Sequence, residues 1–297
     1  MTLEVRTAIS PTRPQFNRVS LIAKSVREFY PDAIITAWVS PEGERRPEDP
    51  PDLGNGDPRD ILFKFVPLRA FNRWKYSRYP YIATAARRFA PPFQGDHVLV
   101  LDADVMPARR FDELFALDCI SGMMAHVAPM GCRDWRRLLA AFGVSANEWH
   151  QHSAFGIMDN DPSRRMSPPY FNSGMVFGPR AEMEKLWWPM QTALERLPAM
   201  VSDHYWIDQI ALALALAMSA APTVVLPMRW NFANQASFDD AFPGELADVR
   251  FLHAMRTDII DRDRDFETSD SIAALVARRD LTGSNEMLRQ RVAELTA

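Results

Sequence analysis

Only two cysteines, Cys119 and Cys132, occur in the 297 residues. They are too few and too far apart for a zinc site or a disulfide framework, so a reducing compartment is the default. Lysine is nearly as scarce. Lys24, Lys64, Lys75 and Lys185 are the whole set, and arginine carries the remaining cationic charge. A net charge of −4 leaves no global cationic field for nucleic acid or an acidic membrane. The longest apolar run, Ile210 to Met218, is far shorter than the ~20 residues needed to cross a bilayer, and it reads as a buried helix. The N-terminus, MTLEVRTAIS, lacks the charged-then-apolar pattern of a secretion signal. The expectation is a soluble, cytoplasmic protein without a transmembrane segment, with peripheral membrane contact left open. No internal repeat is present.

A hydrophobic content of 47% supports a packed core rather than disorder. The length allows one large α/β domain or two small ones. The chain is organised around VLVLDADVMP, residues 98 to 107. Val98 to Leu101 is a continuous apolar run, as in a strand buried on both faces of a parallel sheet. It ends in Asp102-Ala103-Asp104. Two carboxylates just past a buried strand are costly unless a cation meets them. In open α/β sheets that place is where ligands bind. Hard oxygen donors suit Mg²⁺ or Mn²⁺, which take substrate phosphates as further ligands. The first hypothesis is therefore a metal–diphosphate site. The competing reading is a helix cap or solvated turn.

Val5 to Ile9 reads as a strand, Phe16 to Tyr30 as an amphipathic helix and Ala33 to Val39 as a second buried strand. Together they form a βαβ unit, which predicts a mostly parallel sheet. Residues 41–60 are rich in proline, glycine and charge and read as a surface loop. Ile61 to Val66 is a third strand. Residues 71–89 read as a helix bearing Lys75, Arg78, Arg87 and Arg88. These are candidate phosphate contacts or solvated cations, and Lys75, between Trp74 and Tyr76, is the preferred contact. His150 and His152 fall in an irregular stretch, 144–170, and read as loop surface. Asn172 and Ser173 precede the apolar strand Met175 to Phe177 and offer the amide and hydroxyl that a sugar hydroxyl needs, or simply a turn. Residues 181–197 read as a helix interrupted at Pro189. A further helix, 203–219, carries His204, Asp208 and Gln209 in its first turns. His204 and Asp208 share a face, and the Asp-Gln pair is either internally bonded or faces a cavity. His253 ends a short strand, Arg250 to Leu252, where a neutral imidazole can complete an Asp, Asp, His metal site or serve the structure. Residues 256–265 alternate Arg and Asp, a solvated or phosphate-facing loop. Two helical pieces, 269–279 and 284–296, close the chain.

Four features in this order resemble the nucleotide-sugar glycosyltransferases of the GT-A fold, especially the family 8 type. They are DAD at 102–104, FNSGMVF at 171–177, the pair Asp208-Gln209 and the late His253. The resemblance covers residues 5 to 260. It implies a single GT-A (Rossmann-like) α/β domain, 1–260, with a mostly parallel sheet flanked by helices and a helical C-terminal tail, 261–297. It implies a metal-dependent transfer of a sugar from a nucleotide-diphosphate sugar, with retention of configuration. The acceptor would be a glycan, a lipid-linked molecule or a small molecule. Asp102, Asp104 and His253 would hold Mn²⁺ (or Mg²⁺), with Asp102 also toward the nucleotide. Lys75, Asn172, Ser173 and Arg256 would contact the donor, and Asp208 and Gln209 would lie near the reacting carbon. This family usually follows the histidine with a Gly and a Lys-Pro-Trp run. Here Ala254-Met255-Arg256 follows, and Arg256 takes the place of the missing lysine.

Three other readings compete. A nucleotidyltransferase that makes nucleotide sugars would carry a glycine-rich phosphate loop after the first strand, but Ser10-Pro11-Thr12-Arg13-Pro14 stands there. A phosphatase of the haloacid-dehalogenase type would place its Asp-x-Asp near the chain start and a Thr or Val where Met106 stands. A non-catalytic nucleotide-sugar or glycan-binding protein is the third.

Overall fold

The computed structural model describes residues 1–40, 61–66, 80–203, 205–255 and 257–297. Strand β1 (Leu3–Ile9) is buried along its whole length. Helix α1 (Arg13–Phe29) follows, with Pro14 at its start, where a missing N–H breaks no helical bond. Phe16, Val19, Ile22 and Val26 turn into the core. Strand β2 (Ile34–Val39) pairs parallel with β1, Val5 opposite Ile35, which completes the expected βαβ unit. Strand β3 (Ile61–Phe65) lies parallel beside β2. Helix α2 (Pro80–Arg87) then leads to β4 (His97–Leu101), parallel to β1 on its other side.

After β4 come β5 (Val105–Pro107), β6 (Ile120–Met124), α3 (Cys132–Ala141), the short pair β7 (His150–Gln151) and β8 (Met166–Ser167), and β9 (Phe171–Pro179). Helices α4 (Arg180–Glu184), α5 (Trp187–Arg196) and α6 (Ile207–Ser219) precede β10 (Thr223–Leu226). Among the described residues the main sheet has seven strands in the order β10-β6-β9-β4-β1-β2-β3. Every neighbouring pair is parallel except those of β9, which runs antiparallel to both β4 and β6. This is the mostly parallel, helix-flanked α/β sheet that the sequence predicts.

The order of events near β9 differs from the sequence expectation. Asn172 and Ser173 lie inside the strand rather than in a turn before it, because β9 starts at Phe171. Pro189 does not interrupt a helix. It sits in the first turn of α5, where its lost N–H costs nothing, and the break falls at residues 185–186. Helix α6 starts at Ile207 rather than 203, because Asp203 accepts the Tyr205 N–H at 2.9 Å and holds a separate turn. His152 is buried rather than on a surface loop. Its ring lies 2.6 Å from the Ala125 carbonyl and 2.9 Å from the Ser167 hydroxyl.

A second, small sheet sets the geometry of the site. Strand β11 (Phe232–Ala233) is followed by helices α7 (Ala236–Ala241) and α8 (Pro243–Leu246), then by β12 (Phe251–His253). Strand β12 pairs antiparallel with β5, placing His253 opposite Val105. The Ala254 N–H extends the ladder by donating to the Asp104 carbonyl at 2.7 Å. The imidazole is thereby delivered to the acidic motif from 149 residues further along the chain.

The last helices, α9 (Ser269–Ala277) and α10 (Gly283–Thr296), pack into a core of their own with α1, β5 and α7. Leu275, Leu288 and Val292 are buried there with Leu21, Met106 and Phe238. Arg291 of α10 donates to the Pro107 carbonyl at 3.1 Å and to Ser25 at 2.8 Å, tying the tail to the strand beside Asp104.

Candidate active site

The site forms where β4 ends, β9 begins and α6 starts. Asp102 continues the β4–β9 pairing, its N–H donating to the Gly174 carbonyl at 3.0 Å. A side chain at 174 would collide here. A Cβ would stand 2.7 Å from Asn172 Oδ1 and 3.2 Å from Asp102 Oδ2. The glycine of FNSG is thus what lets the two strands and the Asp102 carboxylate approach. Asn172 turns its side-chain oxygen inward to accept the Gly174 N–H at 2.8 Å, and the Ser173 N–H donates to Gln209 Oε1 at 3.2 Å. That last bond joins α6 to β9 and explains the polar pair in an otherwise apolar helix.

Arg88, one residue past α2, is the hub of this cluster. It is wholly buried. It donates to the carbonyls of Ala85 (3.0 Å), Leu101 (3.2 Å) and Ser173 (3.3 Å) and to the Asp102 carboxylate, and it stands 3.9 Å from Asp208. Burial works to lower the Arg88 pKa, but Asp102, Tyr81 and Asp208 outweigh it and hold the guanidinium charged. Asp208 moves the other way. Burial raises its carboxyl to about 6, opposed by Arg88 and helped by Asp102.

Asp104 occupies a second, deeper position. Among the described residues its Oδ1 is buried without a hydrogen-bond partner, and it lies 3.6 Å from His253 Nε2. Its Oδ2 pairs with Arg262. Arg18 of α1, also buried, stands within electrostatic reach. Burial acts to raise the Asp104 pKa, yet His253, Arg262 and Arg18 together hold it below its ordinary value.

Asp102, Asn172, Ser173, Asp208 and Gln209 are thus joined near Arg88, and Asp104 is joined to His253, although the seven come from four separate segments of the chain. Lys75, Arg256 and His204 lie outside the described residues. Among the described residues no group of three or more His, Cys, Asp or Glu side chains is arranged around a metal position. Asp104 and His253 form a suitable pair, whereas Asp102 is engaged by Arg88. Sequence reasoning named Arg88 only as one of four helix cations. Its signal was no more than an arginine pair, Arg87-Arg88, after the mostly apolar stretch Ile82 to Ala86. Arg18 and Arg262 carried no such signal. A cleft of about 500 Å³ lies beside α6, lined by Met130, Asp134 and Arg137 from the α3 side and by Met200 and Asp203.

A family model, the Rhodobacterales glycosyltransferase domain, matches residues 13–220. The chain belongs to that family. This glycosyltransferase has no match among curated proteins. Its fold is similar to that of the galactosyltransferase LgtC, solved in complex with donor and acceptor sugar analogues. The identity is 14%, with a TM-score of 0.54 and coverage of 99% of this chain and 96% of the other. The bifunctional glycosyltransferase WbbM is similar at 11% identity and a TM-score of 0.52, over 97% of this chain and 51% of that one. The GT-A-like glycosyltransferase fold implied by the motifs is borne out. Among the described residues no helix is long and apolar enough to cross a membrane.

Proposed function

We propose that this glycosyltransferase moves a sugar from a nucleotide-diphosphate sugar to a hydroxyl acceptor, depends on Mn²⁺ or Mg²⁺, and works in the cytoplasm. The observation that carries the metal reading is the buried Asp104 Oδ1, without a hydrogen-bond partner among the described residues, facing His253 Nε2 at 3.6 Å. Two donors about 2.1 Å from a common ion stand about 3 Å apart, so a small closure suffices. Asp104 and His253 would hold the ion. When bound, it would act as a Lewis acid on the charge that builds on the leaving diphosphate.

The chain's own residues supply the rest. Arg88 holds Asp102 and Asp208 at fixed positions. Asp208, with its carboxyl at about 6, is ionised at neutral pH yet poorly solvated. Such a carboxylate stabilises positive charge developing at the sugar's reacting carbon, or accepts the acceptor hydroxyl's proton. Gln209 fixes the Ser173 backbone and with it the rim that faces the sugar. Retention of configuration belongs to this reading through the family 8 resemblance.

The test is incubation with a panel of nucleotide sugars and Mn²⁺, with and without chelator, followed by assay of nucleoside diphosphate. Metal-dependent release is expected from one donor, and Asp104→Ala should abolish it. Release that ignores the chelator removes the metal from the mechanism. Pyrophosphate formed from a sugar phosphate and a nucleoside triphosphate would point to a nucleotidyltransferase instead.

A further inference from the structure

The cation that meets Asp104 in this structure is supplied by the chain itself. Arg262 lies in a turn fixed on all sides. The Asp261 carboxylate accepts the N–H groups of Asp263 (2.9 Å) and Arg264 (3.2 Å), and the Asp261 N–H donates to Asp265 at 2.9 Å. Arg18 donates to the Arg262 carbonyl at 2.5 Å. Asn17 of the same helix donates to the Phe266 carbonyl at 2.8 Å, and the rings and chains of Ile260 and Phe266 are buried. The backbone is therefore anchored while the side chain reaches across to Asp104.

That side chain is only partly used. Arg262 meets Asp104 through Nη1, and its buried Nε has no hydrogen-bond partner among the described residues. A guanidinium at rest on a carboxylate favours the forked, two-bond arrangement. Here the buried Nε donor is left over, as is one oxygen of Asp104, among the described residues. Both partners of the contact thus keep an unmet need. A divalent ion satisfies the oxygen, and a diphosphate satisfies the guanidinium.

The two replacements depend on each other. A bare divalent ion placed on Asp104 would stand against two guanidiniums, Arg262 and Arg18. An incoming diphosphate draws Arg262 off the carboxylate and at the same time offsets the ion's charge.

We propose that Arg262 is an exchangeable counter-ion. It neutralises Asp104 while the donor site is empty, and it moves onto the donor's diphosphate when a divalent ion takes its place on Asp104 and His253. Ion and diphosphate therefore enter together. This rests on the metal reading above.

The experiment is calorimetric titration of the full-length protein with Mn²⁺, alone and with saturating UDP, GDP, ADP or CDP, for wild type, Arg262→Met and Arg262→Lys. Thermal unfolding of each variant serves as the folding control. Wild type is expected to bind Mn²⁺ at least about tenfold more tightly when the accepted nucleoside diphosphate is present. Arg262→Met should bind Mn²⁺ alone about tenfold more tightly than wild type and lose most of that enhancement. Arg262→Lys, which keeps the charge but not the fork, should bind bare Mn²⁺ as weakly as wild type and show a reduced enhancement. If folded Arg262→Met matches wild type both with and without diphosphate, the exchange is overturned while the metal reading stands. If no protein binds Mn²⁺ under any condition, both fall.

Discussion

Replacing Arg88 with methionine tests the charge arrangement on which the site depends. Methionine fills similar volume and keeps the apolar contacts of the stem, but it removes every guanidinium donor. Asp102 and Asp208 then face each other without their shared cation, and the carbonyls of Leu101 and Ser173 lose a donor. Breaking a buried ion pair by removing one partner costs about 3–5 kcal/mol. Against a typical total stability of about 5–15 kcal/mol, that is about a fifth of the reserve or more. With a urea slope of about 3 kcal/mol per molar, the midpoint should fall by roughly 1–2 M. The pH dependence adds a sharper test. Asp208 already has its carboxyl raised to about 6, and Arg88 opposes that rise. Without Arg88 the folded-state pKa climbs further above the unfolded value. A carboxyl raised in this way destabilises the fold at high pH, and protonation relieves it as pH falls. The deficit of Arg88→Met should therefore narrow between about pH 8 and pH 6, and adding Asp208→Asn should recover about 1–2 kcal/mol. Urea melts of the two variants at both pH values decide the matter. A deficit below about 1 kcal/mol at pH 8, or one indifferent to Asp208→Asn, would refute the assignment of Arg88 as the compensating charge.

Gly174→Ala should leave the fold cooperative but weaken donor binding about tenfold or more, because the new methyl displaces Asn172 Oδ1 and crowds Asp102; thermal unfolding paired with donor titration reads both effects. His126 is buried with both ring nitrogens unpartnered among the described residues, and burial lowers its pKa to about 3, with His253 and His152 adding to the shift. The unfolded imidazole takes up its proton near 6.5, so this contribution to stability is complete above that pH and is lost as pH falls toward 3. At about pH 5 the loss should be about 2 kcal/mol, and a melt series in which His126→Leu keeps the wild-type slope would count against it. Leu288→Ala, deep in the packing of α10 on α1, should cost about 2–5 kcal/mol by urea melt, as a core residue rather than one in a detachable tail.

The strands of this sheet were legible where the sequence runs mostly apolar, as in β2 and β4, whereas β1 carries Glu4, Arg6 and Thr7 and was legible only from Val5 onward. Strand β9 was found only in its apolar half, because Asn172 and Ser173 hide its entrance, and its reversed direction leaves no mark on a segment buried on both faces. The acidic motif and the Asp208-Gln209 pair stood out because charge and amide are expensive beside so much apolar sequence. The place of His253 at a strand end left a structural reading equally open; its nearness to Asp104 depends on strand pairing across half the chain, and the motif order favoured the site reading. Arg262 was hidden in a stretch that alternates charge. Composition there predicts solvation, and only the anchoring of the turn by Arg18 and Asn17 makes it a neighbour of Asp104. His152 was misplaced on the surface because its hydrogen-bond partners, the Ala125 carbonyl and the Ser167 hydroxyl, come from other segments of the chain.

The reversed strand has one more implication. Met124 and Phe171 are register partners, so the chain leaves the sheet at one rung and returns at the same rung. The intervening excursion, residues 125–170, forms one wall of the cleft beside α6. Its two ends are stitched together whatever lies between them, and lengthening such a loop twofold adds only about 0.6 kcal/mol of closure entropy. Evolution can therefore rewrite that wall by insertion or exchange, like a cassette, while Asp102, Gly174 and Asp208 keep their positions.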